Sequence, residues 1–430
     1  MYLKEYINKL RTGKFLDKKK WLDQSALLET ISEEIPDSAT EEWKNFKTNS
    51  IKDTSWKVLL ENSIKPAYLK KEHSKLPNSI SFIDGHYSLE TSTLRNDSDI
   101  NVSSLSDYIH KNPEFKSTLF NNPSDYAENR LSGIKDKKPT YFISLNSLLS
   151  SGTVIEVEKA KNISETINII HSFSNIDSEI LINPYIIIVC KEGSKVSFQE
   201  ISCDVESWNN TLKEVFIRKD SNLTFSSLQE RISTGIKTSS INCHIDENAE
   251  LNLKVLNRER SKEDIRVFLN KENSTANISG IILSNNKNES DVFCKVTHIG
   301  RASKSDQKWR LISAKNSKTA VNGKICVNKN AKGSDASFYS KSLLLNKKAT
   351  SFSKPELEIQ EDDVKCKHGA SFGEIDNNSV FYMQSRGIKK KDAIILLTHA
   401  FINEIGLEIE GNGDMIKNLI DDFFNEIKEK

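Results

Sequence analysis

Apolar residues recur along this chain in two rhythms, and the changes of rhythm divide it. In residues 1–75, Leu3, Ile7 and Leu10, then Leu22, Leu27, Leu28 and Ile31, fall three or four positions apart, the spacing of one buried helical face. Pro36 breaks that pattern, and Asp37 or Ser38 is placed to cap a short helix containing Glu41, Glu42 and Trp43. Residues 76–140 interrupt each apolar run with Asn, Asp, Ser or Pro, which predicts a mixed connecting region of short strands and a helix. From 141 to 375 the rhythm becomes alternation. "IIIVCKEGSKVSFQEI" (186–201), "EVFIRKDSNLTFSSLQ" (214–229) and "INCHIDENAELNLKVL" (241–256) each join a strand, a small polar turn and a second strand. The turn positions Gly193, Ser221, Asn248 and Asn273 lie 28, 27 and 25 residues apart, a drifting period suited to stacked coils that form a core only together. In residues 376–430 the helical spacing returns: Ala393, Ile394, Leu397 and Phe401 share one face, and Ile416, Leu419, Ile420, Phe423, Phe424 and Ile427 form a wide stripe on the last helix.

The pattern predicts a mainly β chain, a central parallel β-helix flanked by N-terminal and C-terminal helical regions. Leucine-rich repeats share the period but require an LxxLxLxxN signature that is missing; a β-sandwich is the plainer alternative. Open strand edges at the ends of such a solenoid need a cap or a partner. The last helix's stripe must bury against something, and packing on the preceding helix accounts for most of it.

Charge narrows the function. Lys plus Arg number 61 and Asp plus Glu 60, so no net field draws nucleic acid or an anionic membrane. No stretch approaches the roughly 20 apolar residues that cross a bilayer. "MYLKEYINKLRTGKF" lacks the apolar centre of a signal peptide, which points to the cytoplasm. Six cysteines (190, 203, 243, 294, 326 and 366) stand far apart with no CxxC pair, which predicts reduced thiols and neither a disulfide framework nor a structural zinc site.

There is no GxxxxGK[ST] phosphate loop, no GxGxxG, no HExxH and no GxSxG. What stands out is "KCKHGASFGEID" (365–376). On an extended segment Cys366 and His368 point to the same side, with Cα atoms about 7 Å apart, near enough to reach one metal ion or cluster. Gly369 and Gly373 would let another backbone approach or the chain turn sharply. Two ligands do not complete an iron–sulfur or tetrahedral site, so others would come from elsewhere in the chain or from a second protein. The same spacing fits a nucleophile with its base, or two side chains that merely pack. His298, in "VTHIGRASKSDQKW", either lines the solenoid or sits on its surface.

"DDVKCKHGASFGEIDNNSVFYMQSRGI" resembles the C-terminal signature of the SufB/SufD family of the SUF iron–sulfur assembly system. The match runs through Cys366, His368, Gly369, Ala370, Gly373, Asp376, Phe381, Tyr382, Ser385, Arg386, Gly387 and Ile388, then Ala400, Phe401 and Glu404. "KPELEI" (354–359) and "EEWKNF" (41–46) also look like family landmarks. H-G-A and S-R-G-I resemble the SufD side of the family, while Ser371 stands where Thr is usual. The resemblance implies a non-catalytic scaffold subunit in a complex with a SufB-like paralogue and a SufC-like ATPase, which supplies the ATP hydrolysis. It implies that the β-helices of the two scaffold chains pair, with His368, and Cys366 beside it, at a transient iron or iron–sulfur site shared across that interface. No permanently bound cofactor is implied. The C-terminal helices, with Phe401, Glu404, Phe423 and Phe424, would seat the ATPase; Gly369, Gly373 and Arg386 support the motif. Whether two copies of this chain pair as a homodimer when the paralogue is missing stays open. The rival from another class is a stand-alone solenoid enzyme with Cys366 as nucleophile and His368 as base.

Overall fold

The computed structural model describes residues 1–12, 24–32, 35–59, 76–94, 99–119, 140–173, 179–202, 207–229, 235–258, 260–403 and 413–428. Its centre is a pair of facing sheets built from alternate strands. One runs in spatial order through Thr153–Val157, Tyr185–Cys190, Trp208–Ile217, Ile236–Ile245, Ser261–Leu269, Glu289–His298, Lys318–Val327 and Thr350–Ile359. The second runs through Ile167–Ser172, Lys195–Ser202, Asn222–Gln229, Glu250–Arg258, Thr275–Ser284, Lys304–Ser313, Asp335–Leu344 and Lys365–Glu374. Each of these neighbours pairs in parallel, so the chain alternates between sheets and makes about seven turns of a β-solenoid. The fold is mainly β with helices at both ends, as the alternation predicts.

The register explains the drifting period. In the second sheet Lys195 pairs with Asn222, Asn222 with Glu250, Glu250 with Thr275, Thr275 with Lys304, Lys304 with Asp335 and Asp335 with Lys365. Between coils the turns carry left-handed residues, among them Gly193, Asp220, Asn248 and Asn273, at φ of 72°, 57°, 53° and 58°. Gly and Asn tolerate that conformation, which is why they mark the turns. The N–H of each donates to a carbonyl in the next turn, Gly193 to Lys219, Asp220 to Glu247, Asn248 to Glu272 and Asn273 to Arg301, so the turns stack as a ladder. Ser221 is not the turning residue; it is buried, and its hydroxyl donates to the Lys191 carbonyl at 2.8 Å.

The helices Leu3–Arg11 and Gln24–Thr30 fall where the N-terminal spacing predicts; Asn49–Asp53 adds a short helix that the spacing does not mark, and Lys57–Val58 is a short strand beside Ile180–Ile182. Glu41–Trp43 is a 3₁₀ turn following Thr40; Asp37 instead accepts from the Ala39 N–H, so neither Asp37 nor Ser38 caps it. This segment lies across the first sheet. Trp43 stacks on Phe142 at 4.6 Å, Lys262 donates to the Glu42 carbonyl at 2.6 Å, and the Lys47 N–H donates to Glu289 at 2.7 Å. Of residues 76–140, Ser79–Ile83 extends the second sheet in parallel and Ile100–Ser104 joins the first sheet antiparallel, followed by the helix Leu105–Lys111. Tyr141–Leu149 is a helix that precedes the first-sheet strand Thr153–Val157. Leu22, Cys203 and Glu404 lie outside the described residues.

Among the described residues three helices follow the last strand: Asn377–Ser385, Lys390–Asn403 and Gly413–Lys428. The apolar stripe of the last is covered mainly by the solenoid. Leu419, Ile420, Phe423 and Phe424 join Leu228, Leu256, Leu283 and Ile312 of the second sheet, with Ile402 of the preceding helix, in one buried cluster.

Candidate functional site

Alternation and register together place the Cys366–His368 pair. In the strand before it, Ala336 and Phe338 point into the core and are 1% and 0% exposed; they pair with Cys366 and His368. Both side chains therefore continue interior columns: Ala276, Ser305 and Ala336 precede Cys366, and Ile278, Gln307 and Phe338 precede His368. The same-side placement expected from period two is what the strand gives. Among the described residues no coil follows Lys365–Glu374, however, so the columns end in the open.

The last coil is thus an uncovered floor. The strands Thr350–Ile359 and Lys365–Glu374 are the edges of their sheets. Residues that every earlier coil would bury are left out: Phe372 is 53% exposed, Phe352 45%, Ile359 43% and Leu357 38%. Cys366 is half-buried and His368 exposed. Of the two glycines, Gly369 lies against the Tyr339 ring, which an added Cβ would meet at 3.2 Å, whereas Gly373 has open space around it.

The electrostatics favour a protonated thiol. Burial pushes the Cys366 thiol up from its ordinary value, and the Asp335 carboxylate adds to the shift. Nucleophilic thiolates need the reverse, a cationic or hydrogen-bonding surrounding. Among the described residues no group of three His, Cys, Asp or Glu side chains is placed to hold a metal ion. Cys366 and His368 can offer one sulfur and one imidazole nitrogen, a mixed set that suits iron but leaves coordination unfinished.

The other described thiols and His298 are internal. Cys190, Cys243 and Cys294 are fully buried, and burial pushes the first two up to about 12. His298 is wholly buried between the Ser303 and Ser305 hydroxyls, each 2.8 Å from a ring nitrogen, and burial lowers it to about 4. It stays neutral and holds a turn.

The residues expected to seat an ATPase fall into a different arrangement. Phe423 and Phe424 are 0% and 3% exposed, because the terminal helix turns its stripe onto the solenoid, so as placed they offer nothing to a partner. Phe401 is half-buried against Arg310. Among the described residues, the large apolar side chains exposed on these helices are Phe381, Tyr382 and Leu396. Arg386 donates to the Tyr382 hydroxyl at 3.0 Å, with its guanidinium 5.2 Å from that ring.

Helices at both ends, a parallel solenoid and a Cys–His pair on the open last coil meet in one molecule, and comparison with known proteins bears on what they serve. The family model described as "SUF system FeS cluster assembly, SufBD core domain" matches residues 173–401, more than half of the chain. The chain belongs to the SufB/SufD family. Its likeness is to SufD: the "Iron-sulfur cluster assembly protein SufD" of Escherichia coli (strain K12) is 34% identical over 145 residues, 34% of each chain. "Protein ABCI7, chloroplastic" of Arabidopsis thaliana is 28% identical over 230 residues, 52% of this chain and 48% of that protein. An "Iron-sulfur cluster assembly SufBD family protein" of Synechocystis is 29% identical over 152 residues, 34% of this chain and 32% of that one. The chain thus spans about a third to a half of the length of these relatives. The SufBD core match takes in the floor, both strands of the last coil and the Cys366–His368 pair. No described helix is long and apolar enough to cross a membrane.

Proposed function

We propose that this SufD-like chain is a scaffold subunit for iron–sulfur cluster assembly, with no catalysis of its own. The observation that carries the reading is the open floor: two potential iron ligands stand in an apolar surface at unpaired strand edges, with no third ligand among the described residues. A SufB-like paralogue supplies the opposing edge strands and the missing ligands. Backbone pairing across two edges gives affinity, and the exposed Phe352, Leu357, Ile359 and Phe372 give burial.

Iron is cargo here, held in passing. Its capture by Cys366 displaces the thiol proton that burial otherwise retains, so loading is coupled to proton release. The imidazole of His368 supplies the second ligand. A site divided between two chains opens when they part, which a permanent cage could not do. ATP is spent by a SufC-like ATPase seated on the C-terminal helices, where Phe381, Tyr382 and Leu396 are the exposed apolar contacts.

The test is co-purification of this chain with the SufB-like and SufC-like proteins of the same organism, followed by cluster reconstitution. A stable complex is expected, and His368→Ala is expected to keep it while reducing cluster formation at least tenfold. If His368→Ala assembles clusters as well as the parent complex, the site is assigned wrongly; if no complex forms, the scaffold reading falls.

A further inference from the structure

Apolar side chains fill most of the solenoid's interior, but one corner of it holds charge. Glu200, Lys213 and His171 are 2%, 1% and 2% exposed. Glu200 Oε2 accepts from Lys213 Nζ at 2.6 Å and from the Ser227 hydroxyl at 2.7 Å, and its Oε1 lies 3.0 Å from His171 Nε2. The His171 ring stacks on Phe82 with centroids 5.4 Å apart. One carboxylate thus joins four strands: Ile167–Ser172, Lys195–Ser202 and Asn222–Gln229 of the second sheet, and Trp208–Ile217 of the first. A second buried pair repeats the arrangement further on. Lys237 and Glu263 stand 3.5 Å apart on the paired strands Ile236–Ile245 and Ser261–Leu269, and the Ser239 hydroxyl donates to Glu263 at 2.7 Å.

Stability is a poor reason for such ions. Each gives up its water on burial, and the attraction between them does little more than offset that cost, so apolar side chains of similar volume would hold the coil as well. What apolar side chains lack is position. Two neighbouring interior columns run Val196, Leu223, Leu251 and Phe198, Phe225, Leu253. Sliding a strand by two residues there keeps apolar against apolar and the same face inward. At the opposite corner the stacked turns hold the alignment. At the charged corner the links between strands run from two residues (259–260) to six (230–235), so their lengths set no common alignment. The carboxylate does. If Lys195–Ser202 slid by two residues along Asn222–Gln229, Glu200 would lose the Ser227 hydroxyl and face Phe225 or Gln229.

We infer that the Glu200 cluster, with Lys237–Glu263 after it, is a register lock that selects one alignment of the first coils at no gain in stability. Each later strand pairs with one already placed, so the alignment chosen here is copied down to Lys365–Glu374. The inference does not rest on what the floor binds.

Paired cysteines in the full chain read the alignment directly. Ser197 and Thr224 are register neighbours on the outer side of the second sheet, so Ser197→Cys with Thr224→Cys should close a disulfide under mild oxidation. Ser197→Cys with Asn222→Cys is two residues out of step, with Cα atoms about 8 Å apart, and should close only at background level. Adding Glu200→Leu with Lys213→Met should leave the urea midpoint near that of the parent and raise the out-of-step disulfide at least about tenfold. If the double variant folds and still closes only the in-step disulfide, the alignment is set without the ions and the inference is overturned. Failure of the double variant to fold would overturn it too, because the pair would then be a source of stability rather than of alignment.

Discussion

Gly323 offers a quantitative check on the packing that ends at the floor. It lies on Lys318–Val327 across the core from Phe338, whose register neighbour is His368. A Cβ at Gly323 would stand 1.9, 2.2 and 2.6 Å from three carbons of the Phe338 ring. Such atoms rest about 3.5–4.0 Å apart, so Gly323→Ala forces the ring to retreat by roughly 1.5 Å. Overpacking of this kind costs about 1–3 kcal/mol. Phe338→Leu alone removes ring volume and should cost about 1–2 kcal/mol. Together the two changes should be partly compensating, because the smaller side chain makes room for the new methyl. The double mutant should then be more stable than the sum of the single losses by about 1–2 kcal/mol. Urea midpoints followed by fluorescence give the comparison, provided the slopes stay equal, since stacked coils need not unfold in one step. Strict additivity of the two substitutions would mean that Phe338 does not face Gly323, and the register leading down to His368 would have to be redrawn.

Three further outcomes are expected. His298 is lowered to about 4 in the fold from an ordinary 6.5. The unfolded chain therefore binds its proton more readily, and the stability this group contributes, present above pH 6.5, should fall by roughly 3 kcal/mol as pH drops to about 4. His298→Asn should flatten that slope in denaturant titrations, and an unchanged slope would remove His298 as its cause. Of the described cysteines, only Cys366 should react with an alkylating reagent in the native chain, slowly at pH 7 and faster towards pH 9, because its thiol is raised and the others are buried; rapid labelling at pH 7 would revive the nucleophile reading. Gly387→Ala should destabilise by about 1 kcal/mol, since φ is 85° there while the space around it is open. Thermal melting would register the loss, and no change would mean the turn readily adopts another conformation.

The alternating segments and their turn residues were legible in the sequence because each turn needs a left-handed residue, and Gly193, Asn248 and Asn273 occupy that position. Ser221 misled by one place because its neighbour Asp220 takes the turn while the serine faces inward. The shared side of Cys366 and His368 follows from period two. Their exposure does not, because it depends on where stacking stops, and nothing in "KCKHGASFGEID" distinguishes a last coil from a middle one. The stripe containing Phe423 and Phe424 was visible as a stripe, but amphipathic spacing does not say what covers it; Leu228, Leu256, Leu283 and Ile312 on distant strands, with the buried Arg258 beside them, decide that. The reach of the N-terminal segment to Glu289 was likewise invisible, being a contact between residues far apart in sequence.

The position of the floor along the chain has a consequence in time. A ribosome makes the solenoid from its helical start, at roughly 5–20 residues per second, and earlier units fold while later ones are still being added. Each coil's lower edge is adhesive until its successor covers it. The edge at Thr350–Ile359 and Lys365–Glu374 gains no successor, so it emerges only after the coils above it have somewhere to stack. The stickiest surface of the molecule is thus the last of the solenoid to appear. On the proposal that a paralogue covers this edge, production in excess of that paralogue should show first as edge-to-edge aggregation.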